Sequence, residues 1–149
     1  MNFEYRQIEF GSVEYDQELE LRYRVLREPL QLPLSESDKQ FDREETHLGV
    51  LSEGQLVGCC LLRMGAPGQP PGQAKMRQVA ISPELQGKGV GAALVRYFEN
   101  FARARGATEV VMDARVSAIG FYEKLGYVTT SELFTQVTVP HKKMRKSIS

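Results

Sequence analysis

The stretch Met76-Arg77-Gln78-Val79-Ala80-Ile81-Ser82-Pro83-Glu84-Leu85-Gln86-Gly87-Lys88-Gly89-Val90-Gly91-Ala92 decides the fold. It reads as a strand, a glycine-rich loop and the start of a helix. Gly87, Gly89 and Gly91 stand at alternate positions. With no Cβ atoms to hold a ligand away, the N–H groups at the helix start can point at an anion, so the loop has the form of a diphosphate cradle. Behind it Val90, Ala93, Leu94, Tyr97, Phe98, Phe101, Ala102 and Arg105 recur with the 3.6-residue period of one helix face, and Gly106 supplies the stop. A helix over 90–105 spans about 24 Å, enough to bury its stripe on a sheet while its first turn stays at the rim.

Several chemistries use such a loop. A nucleoside-triphosphate loop needs Ser or Thr after Gly-Lys to hold Mg²⁺, and here Lys88 is followed by Gly89. A dinucleotide turn is closer, because Gly87-x-Gly89-x-x-Ala92 fits its loose fingerprint and Asp113 follows about 20 residues on. Against it, Pro83 and a loop separate the strand from the first glycine, and a large part of the chain precedes the motif.

Composition narrows the class. A chain of 149 residues predicts one domain, 1–149, large enough for a single core. Its 42% hydrophobic and 26% charged residues are ordinary globular values, and 19 basic against 19 acidic side chains give no basic excess for a nucleic acid. The start, Met1-Asn2-Phe3-Glu4-Tyr5-Arg6, carries charges where a signal peptide would be apolar, and no run approaches the ~18 apolar residues of a membrane span. The expectation is a cytoplasmic protein with no membrane partner. Cys59 and Cys60 are adjacent in an apolar run and read as reduced strand residues; no metal-ligand cluster accompanies them.

In chain order, Phe3, Tyr5, Ile8 and Phe10 predict a first strand closed by Gly11-Ser12. A helix over 15–27 follows, with Leu19, Tyr23 and Leu26 on one face, Leu21 and Val25 adjacent, and Pro29 as the break. Residues 30–45 are polar and aperiodic, a loop or short helix and a candidate lid. Two apolar runs, 46–51 and 56–62, flank Ser52-Glu53-Gly54-Gln55 as a hairpin, and 65–73 has turn composition. After the long helix come a short strand over 109–114, a helix over 117–125 ending at Gly126, and strands over 128–134 and 137–144. Lys142, Lys143, Arg145 and Lys146 read as a solvated edge. The order β-α-β-β-β-α-β-α-β-β is an α/β arrangement, about seven strands in a mixed sheet with helices on both faces.

Two motifs carry a resemblance. Gln86-x-x-Gly89-x-Gly91-Ala92, preceded by Val79-Ala80-Ile81-Ser82-Pro83, is similar to the acyl-CoA pyrophosphate loop of the GNAT superfamily of N-acetyltransferases. Ala118-Ile119-Gly120-Phe121-Tyr122-Glu123-Lys124-Leu125-Gly126-Tyr127 resembles that superfamily's other recurrent motif, in the same order and spacing. Leu26-Arg27-Glu28-Pro29-Leu30, His47-Leu48, Lys75-Met76-Arg77-Gln78-Val79 and Val139-Pro140-His141-x-x-Met144 resemble its ElaA-like branch.

The resemblance implies transfer of an acetyl group from acetyl-CoA to an amine of a small molecule or a protein, by direct attack and without a metal. It puts Val79, Ala80 and Ile81 along the pantetheine arm and Gln86, Gly87, Lys88, Gly89, Val90, Gly91 and Ala92 around the pyrophosphate. Ser117, Phe121 and Lys124 join the cofactor face from the second motif; Ser117 stands in Arg115-Val116-Ser117, where many relatives carry Asn. The turn before Val139, Thr135-Gln136-Val137-Thr138, lacks the acidic-glycine turn of the branch. Tyr122 matches the tyrosine that in many relatives donates a proton, or a hydrogen bond, to the departing thiolate, and a phenol of pKa about 10 stays protonated at neutral pH. On the periodicity alone, the same tyrosine is a core aromatic sharing a face with Ile119 and Leu125. The chain's two histidines, His47 and His141, are the candidate bases; water or a carboxylate also serves in such enzymes. A fold of this kind that senses acyl-CoA without turnover is the alternative, and a homodimer through the tail strand is open.

Overall fold

Apolar residues at strand and helix spacing build a mixed sheet whose two faces are covered by different helices. The computed structural model describes residues 2–149, and Met1 lies outside them. Strand β1 (Phe3–Ile8) leads to α1 (Val13–Arg22), whose N-cap Ser12 accepts the Tyr15 N–H at 3.2 Å. The helix widens into a π-turn over Tyr23–Arg27 and closes in a 3-10 turn over Glu28–Leu30 at Pro29. Within 30–45 a single turn, α2 (Glu36–Lys39), is held by reciprocal capping between Ser35 and Asp38. The hairpin forms as expected, β2 (Thr46–Ser52) and β3 (Gln55–Arg63), through Glu53 and Gly54, both at positive φ.

Strand β4 (Gln73–Ile81) feeds the glycine loop and α3 (Val90–Ala104); β5 (Glu109–Arg115), a 3-10 turn and α4 (Ile119–Lys124) follow. The tail differs from the expected two strands. It contains β6 (Val128–Thr129), β7 (Phe134–Gln136) and β8 (Val139–Ser147), which makes eight strands among the described residues rather than seven. The extra hairpin turns at Val137 and Thr138, which sit at φ +49° and +64°. β-branched residues seldom adopt this left-handed region, so no residue there announces the turn.

The sheet order is β1-β2-β3-β4-β5-β8-β6, with β7 also on β8; β4 and β5 are its parallel pair and the other pairings are antiparallel. A doubly wound dinucleotide fold, built on parallel strands, is therefore excluded. Since β8 pairs with β5 on one edge and with β6 and β7 on the other, it is an interior strand, and three of its cations are engaged: Lys143 with Asp113, Arg145 with Glu109 and Lys146 with Glu99. The expected edge is thus an interior strand, although Lys143 and Arg145 are solvent-exposed as expected.

One core lies under α3 and α4, where Leu94 and Phe98 are fully buried with Leu48, Cys60, Met112 and Tyr127. Full burial of each such apolar side chain contributes about 1.5–3 kcal/mol. The second core lies under α1 and joins Ile8, Leu21, Leu51, Cys59 and Ala80. Cys59 and Cys60 thus face opposite sides of β3, as successive strand residues must, and both are free thiols. The buried face of α1 is Tyr15, Glu18, Leu21 and Arg22, whereas Tyr23 is exposed and Leu19 and Leu26 are half-buried. The apolar spacing misplaced this face because two of its members are charged.

Candidate active site

The parallel pair is the feature that opens the site. β4 and β5 pair at Gln73↔Glu109, Ala74↔Val110 and Lys75↔Val111, and then separate. The cause is a bulge: Leu61 pairs with Arg77 and Cys59 with Ala80, so Cys60 faces both Gln78 and Val79. A bulge bends its strand and sharpens its twist. Gln78 carries the strain at φ +53° and is held by Arg22, whose Nε donates to its Oε1 at 3.2 Å. Beyond Lys75, β4 keeps β3 on one edge and has no strand on the other, so alternate backbone N–H and C=O groups there have no ladder partner.

Into this opening runs a cavity of about 400 Å³, walled by the β4 bulge, the end of β5, Tyr122, the β7–β8 hairpin and the segment from Leu26 to Gln40. Tyr122 is 6% exposed, edge-on to Phe121 and Tyr127, and its hydroxyl has no hydrogen-bond partner among the described residues. Burial pushes its pKa up, so the hydroxyl keeps its proton and can donate. His141 is buried in the wall of the same cavity, stacked on Phe134. Its Nδ1 lies 2.9 Å from the Val139 carbonyl. A carbonyl only accepts, so Nδ1 carries the hydrogen and the neutral ring presents Nε2 as a base.

His47 is not brought to the cavity. It is 1% exposed, its Nδ1–H donates to Glu18 at 2.8 Å and its Nε2–H to the Asp42 carbonyl at 2.7 Å. Burial disfavours the charged ring, but the hydrogen bond and charge of Glu18 outweigh it and raise its pKa. Arg22 Nη1 lies 3.1 Å from Glu18 and 2.8 Å from Asp42, and the Tyr15 hydroxyl donates to Asp42 at 2.6 Å. Glu18, Asp42 and His47 present ligand atoms within 4.8 Å of one another, yet Arg22 already supplies the positive charge that a metal would bring. Neither this network nor its link to the bulge through Gln78 had a signal in the sequence, because its members are far apart and polar.

The glycine loop is at the other end of the opening. Gly87 and Gly89 sit at φ +79° and +85°, with nothing within 4 Å of where a Cβ would stand. Gly89 is the N-cap of α3 and brings no side-chain cap, and its carbonyl takes the Ala93 N–H. The N–H groups of Gly89, Val90, Gly91 and Ala92 therefore have no helical acceptor and form the positive end of the helix dipole. This open, donor-lined concavity fits a pyrophosphate. Gln86 is used internally, its amide donating to the Ile81 carbonyl at 3.0 Å and tying the loop to β4. Lys88, Ser117 and Lys124 are exposed, and Phe121 stands against Gly91. Val79, Ala80 and Ile81 connect the bulge to the loop along the edge that β5 leaves.

The chain matches the model of the acetyltransferase (GNAT) family over residues 12–127, and it belongs to that family. It is 31% identical over 122 residues to YyaT of Bacillus subtilis, covering 78% of each chain. It is 27% identical over 127 residues to YjcF of the same organism, described as an uncharacterized N-acetyltransferase, covering 85% of this chain and 87% of that one. The crystal structure of Escherichia coli ElaA superimposes with a TM-score of 0.84 over 97% of this chain and 99% of that one, at 18% identity. The protein is an acyl-CoA-dependent N-acyltransferase. Among the described residues, no helix is long and apolar enough to cross a membrane.

Proposed function

We propose that the protein transfers an acetyl group from acetyl-CoA directly to a primary amine, with both bound at once. The observation that carries this reading is that one cavity joins the unladdered edge of β4, the unpartnered hydroxyl of Tyr122 and the free Nε2 of His141. Acetyl-CoA supplies the activated thioester. The N–H groups of 89–92 hold its pyrophosphate, and backbone groups of Val79, Ala80 and Ile81 pair with the extended pantetheine arm as a strand would.

His141 Nε2 takes a proton from the acceptor's ammonium, directly or through a water, and leaves a neutral nitrogen to attack the carbonyl carbon. An N–H of the β4 edge stabilises the negative charge that builds on the carbonyl oxygen. As the C–N bond forms and the C–S bond breaks, Tyr122 donates its proton to sulfur, and the proton shed by the new amide nitrogen replaces it through solvent.

The test is thiol release from acetyl-CoA across polyamines, amino acids, aminoglycosides and peptide amines, beside calorimetry of acetyl-CoA alone. Micromolar binding and amine-dependent release support the reading. No binding of acetyl-CoA overturns it.

A further inference from the structure

We propose that the acceptor amine also carries an anionic group, a carboxylate or a phosphate, and that Arg115 binds it. This rests on the acetyl-transfer reading and narrows its acceptor. The charges walling the cavity do not balance: Arg27, Lys75, Arg77 and Arg115 face Asp38 and Asp113. Arg27 takes Asp38, with Nη2–Oδ1 at 2.7 Å. Arg77 pairs with Glu45, which lies behind the wall. Asp113 is shared by two ammonium groups, Lys75 at 3.4 Å and Lys143 at 3.0 Å. Although burial alone would raise the Asp113 pKa, these two hold it below the usual range, so it stays an ion already matched by cations.

Arg115 is left over. Its one side-chain hydrogen bond among the described residues runs from Nη2 to the Leu26 carbonyl at 2.7 Å, and no carboxylate lies within ion-pair distance. That tether fixes one corner of a planar fork with five donors and leaves the others for a ligand. The site is half-buried, and burial together with the nearby charge of Arg27 disfavours the cation, a penalty that a bound anion removes.

Register places the two functions side by side. Arg115 pairs with His141 across β5 and β8, so both side chains leave the same face of the sheet. A ligand whose nitrogen meets His141 can therefore reach Arg115 with an oxyanion. Carboxylate and phosphate both fit a guanidinium fork, and the rest of the wall adds positive rather than negative charge.

Matched acceptors that differ by the anion alone test this: lysine against cadaverine, phenylalanine against phenethylamine, and phosphoethanolamine against ethanolamine. The expected result is that the anionic member of at least one pair has the higher kcat/KM by about tenfold or more, the size of a charge-assisted hydrogen bond. The first two pairs report a carboxylate and the third a phosphate. In Arg115→Gln that ratio falls toward one through a rise in KM with little change in kcat. Arg115→Lys restores part of it, and it alone decides if the glutamine variant does not fold. Equal or better use of the neutral members overturns the proposal, as does a loss in Arg115→Gln shared by both members. If acetyl-CoA binds but no anionic amine reacts or binds in calorimetry, the anion site is overturned and the acyl-transfer reading stands. Failure to bind acetyl-CoA overturns that reading and this proposal with it.

Discussion

Phe121 Cζ lies 3.3 Å from the point where a Cβ on Gly91 would stand, so the aromatic of α4 closes over the first turn of α3. The two motifs meet there in space, and the glycine is what lets the ring approach. Gly91→Val must push Phe121 aside. On backbone grounds valine in that helix costs nothing relative to glycine and gains a few tenths of a kcal/mol. The expected outcome is acetyl-CoA affinity reduced about tenfold or more in calorimetry, with the urea midpoint nearly unmoved. Gly89→Val differs, because at φ +85° a side chain also costs about 1–2 kcal/mol of folding. Unchanged acetyl-CoA affinity in Gly91→Val would overturn the cradle.

Tyr122→Phe keeps the ring packed on Phe121 and Tyr127 and removes a hydroxyl that no described residue uses. Nothing is left unsatisfied, so melting temperature should hold. If that hydroxyl protonates the leaving sulfur, kcat falls by about 10²-fold or more while the Kd for acetyl-CoA stays the same. Single-turnover rates and calorimetry on the same preparation separate the two. A kcat within twofold of wild type would return Tyr122 to the status of a core aromatic.

His141→Ala separates a base from a wall residue through pH. An acceptor amine of pKa about 10 is almost wholly ammonium at neutral pH and needs a base, whereas near that pKa half of it is already neutral. The deficit of the variant in kcat/KM should therefore be largest near neutrality and shrink as pH approaches the amine's own pKa. A constant deficit at every pH indicates that the loss is one of shape, from the Phe134 stack and the tether to Val139.

The elements that could be read from sequence are those in which one period or one special residue decides. The α3 stripe, the β2–β3 hairpin at Glu53-Gly54 and the glycine loop are of this kind. The face of α1 was not, because Glu18 and Arg22 are buried only by virtue of Asp42 and His47, contributed from distant parts of the chain. The β7–β8 turn was not, because Val137 and Thr138 occupy a conformation that their side chains disfavour. In the candidate site, Tyr122 and the glycine loop are the parts that motifs single out. The bulge at Gln78, the surplus cation at Arg115 and the position of His47 depend on register and pairing across strands, which a linear pattern does not carry.

His47, buried in the Glu18–Arg22–Asp42 network and absent from the cavity wall, contributes a pH-dependent part of the stability. The ring is charged in the fold because Glu18 and the Asp42 carbonyl each accept one of its hydrogens, and its pKa is raised above the ordinary 6.5. Between that value and the raised one, the folded protein binds a proton that the unfolded chain has released. The contribution is therefore complete below about pH 6.5 and is lost as pH rises through the folded value. His47→Gln leaves Glu18 and Asp42 with Arg22 alone to neutralise them and should cost about 3–5 kcal/mol, the usual result of breaking a buried ionic pair. Urea unfolding at about pH 6 and about pH 9 checks both parts: wild type loses stability across the interval, and the variant starts lower with a flatter dependence. Since Arg22 joins this network to Gln78, the variant should also turn over more slowly even where it remains folded, by loosening the bulge that opens the site. Parallel pH slopes in the two proteins would mean that the ring is neutral in the fold and that the network is held by Arg22 without it.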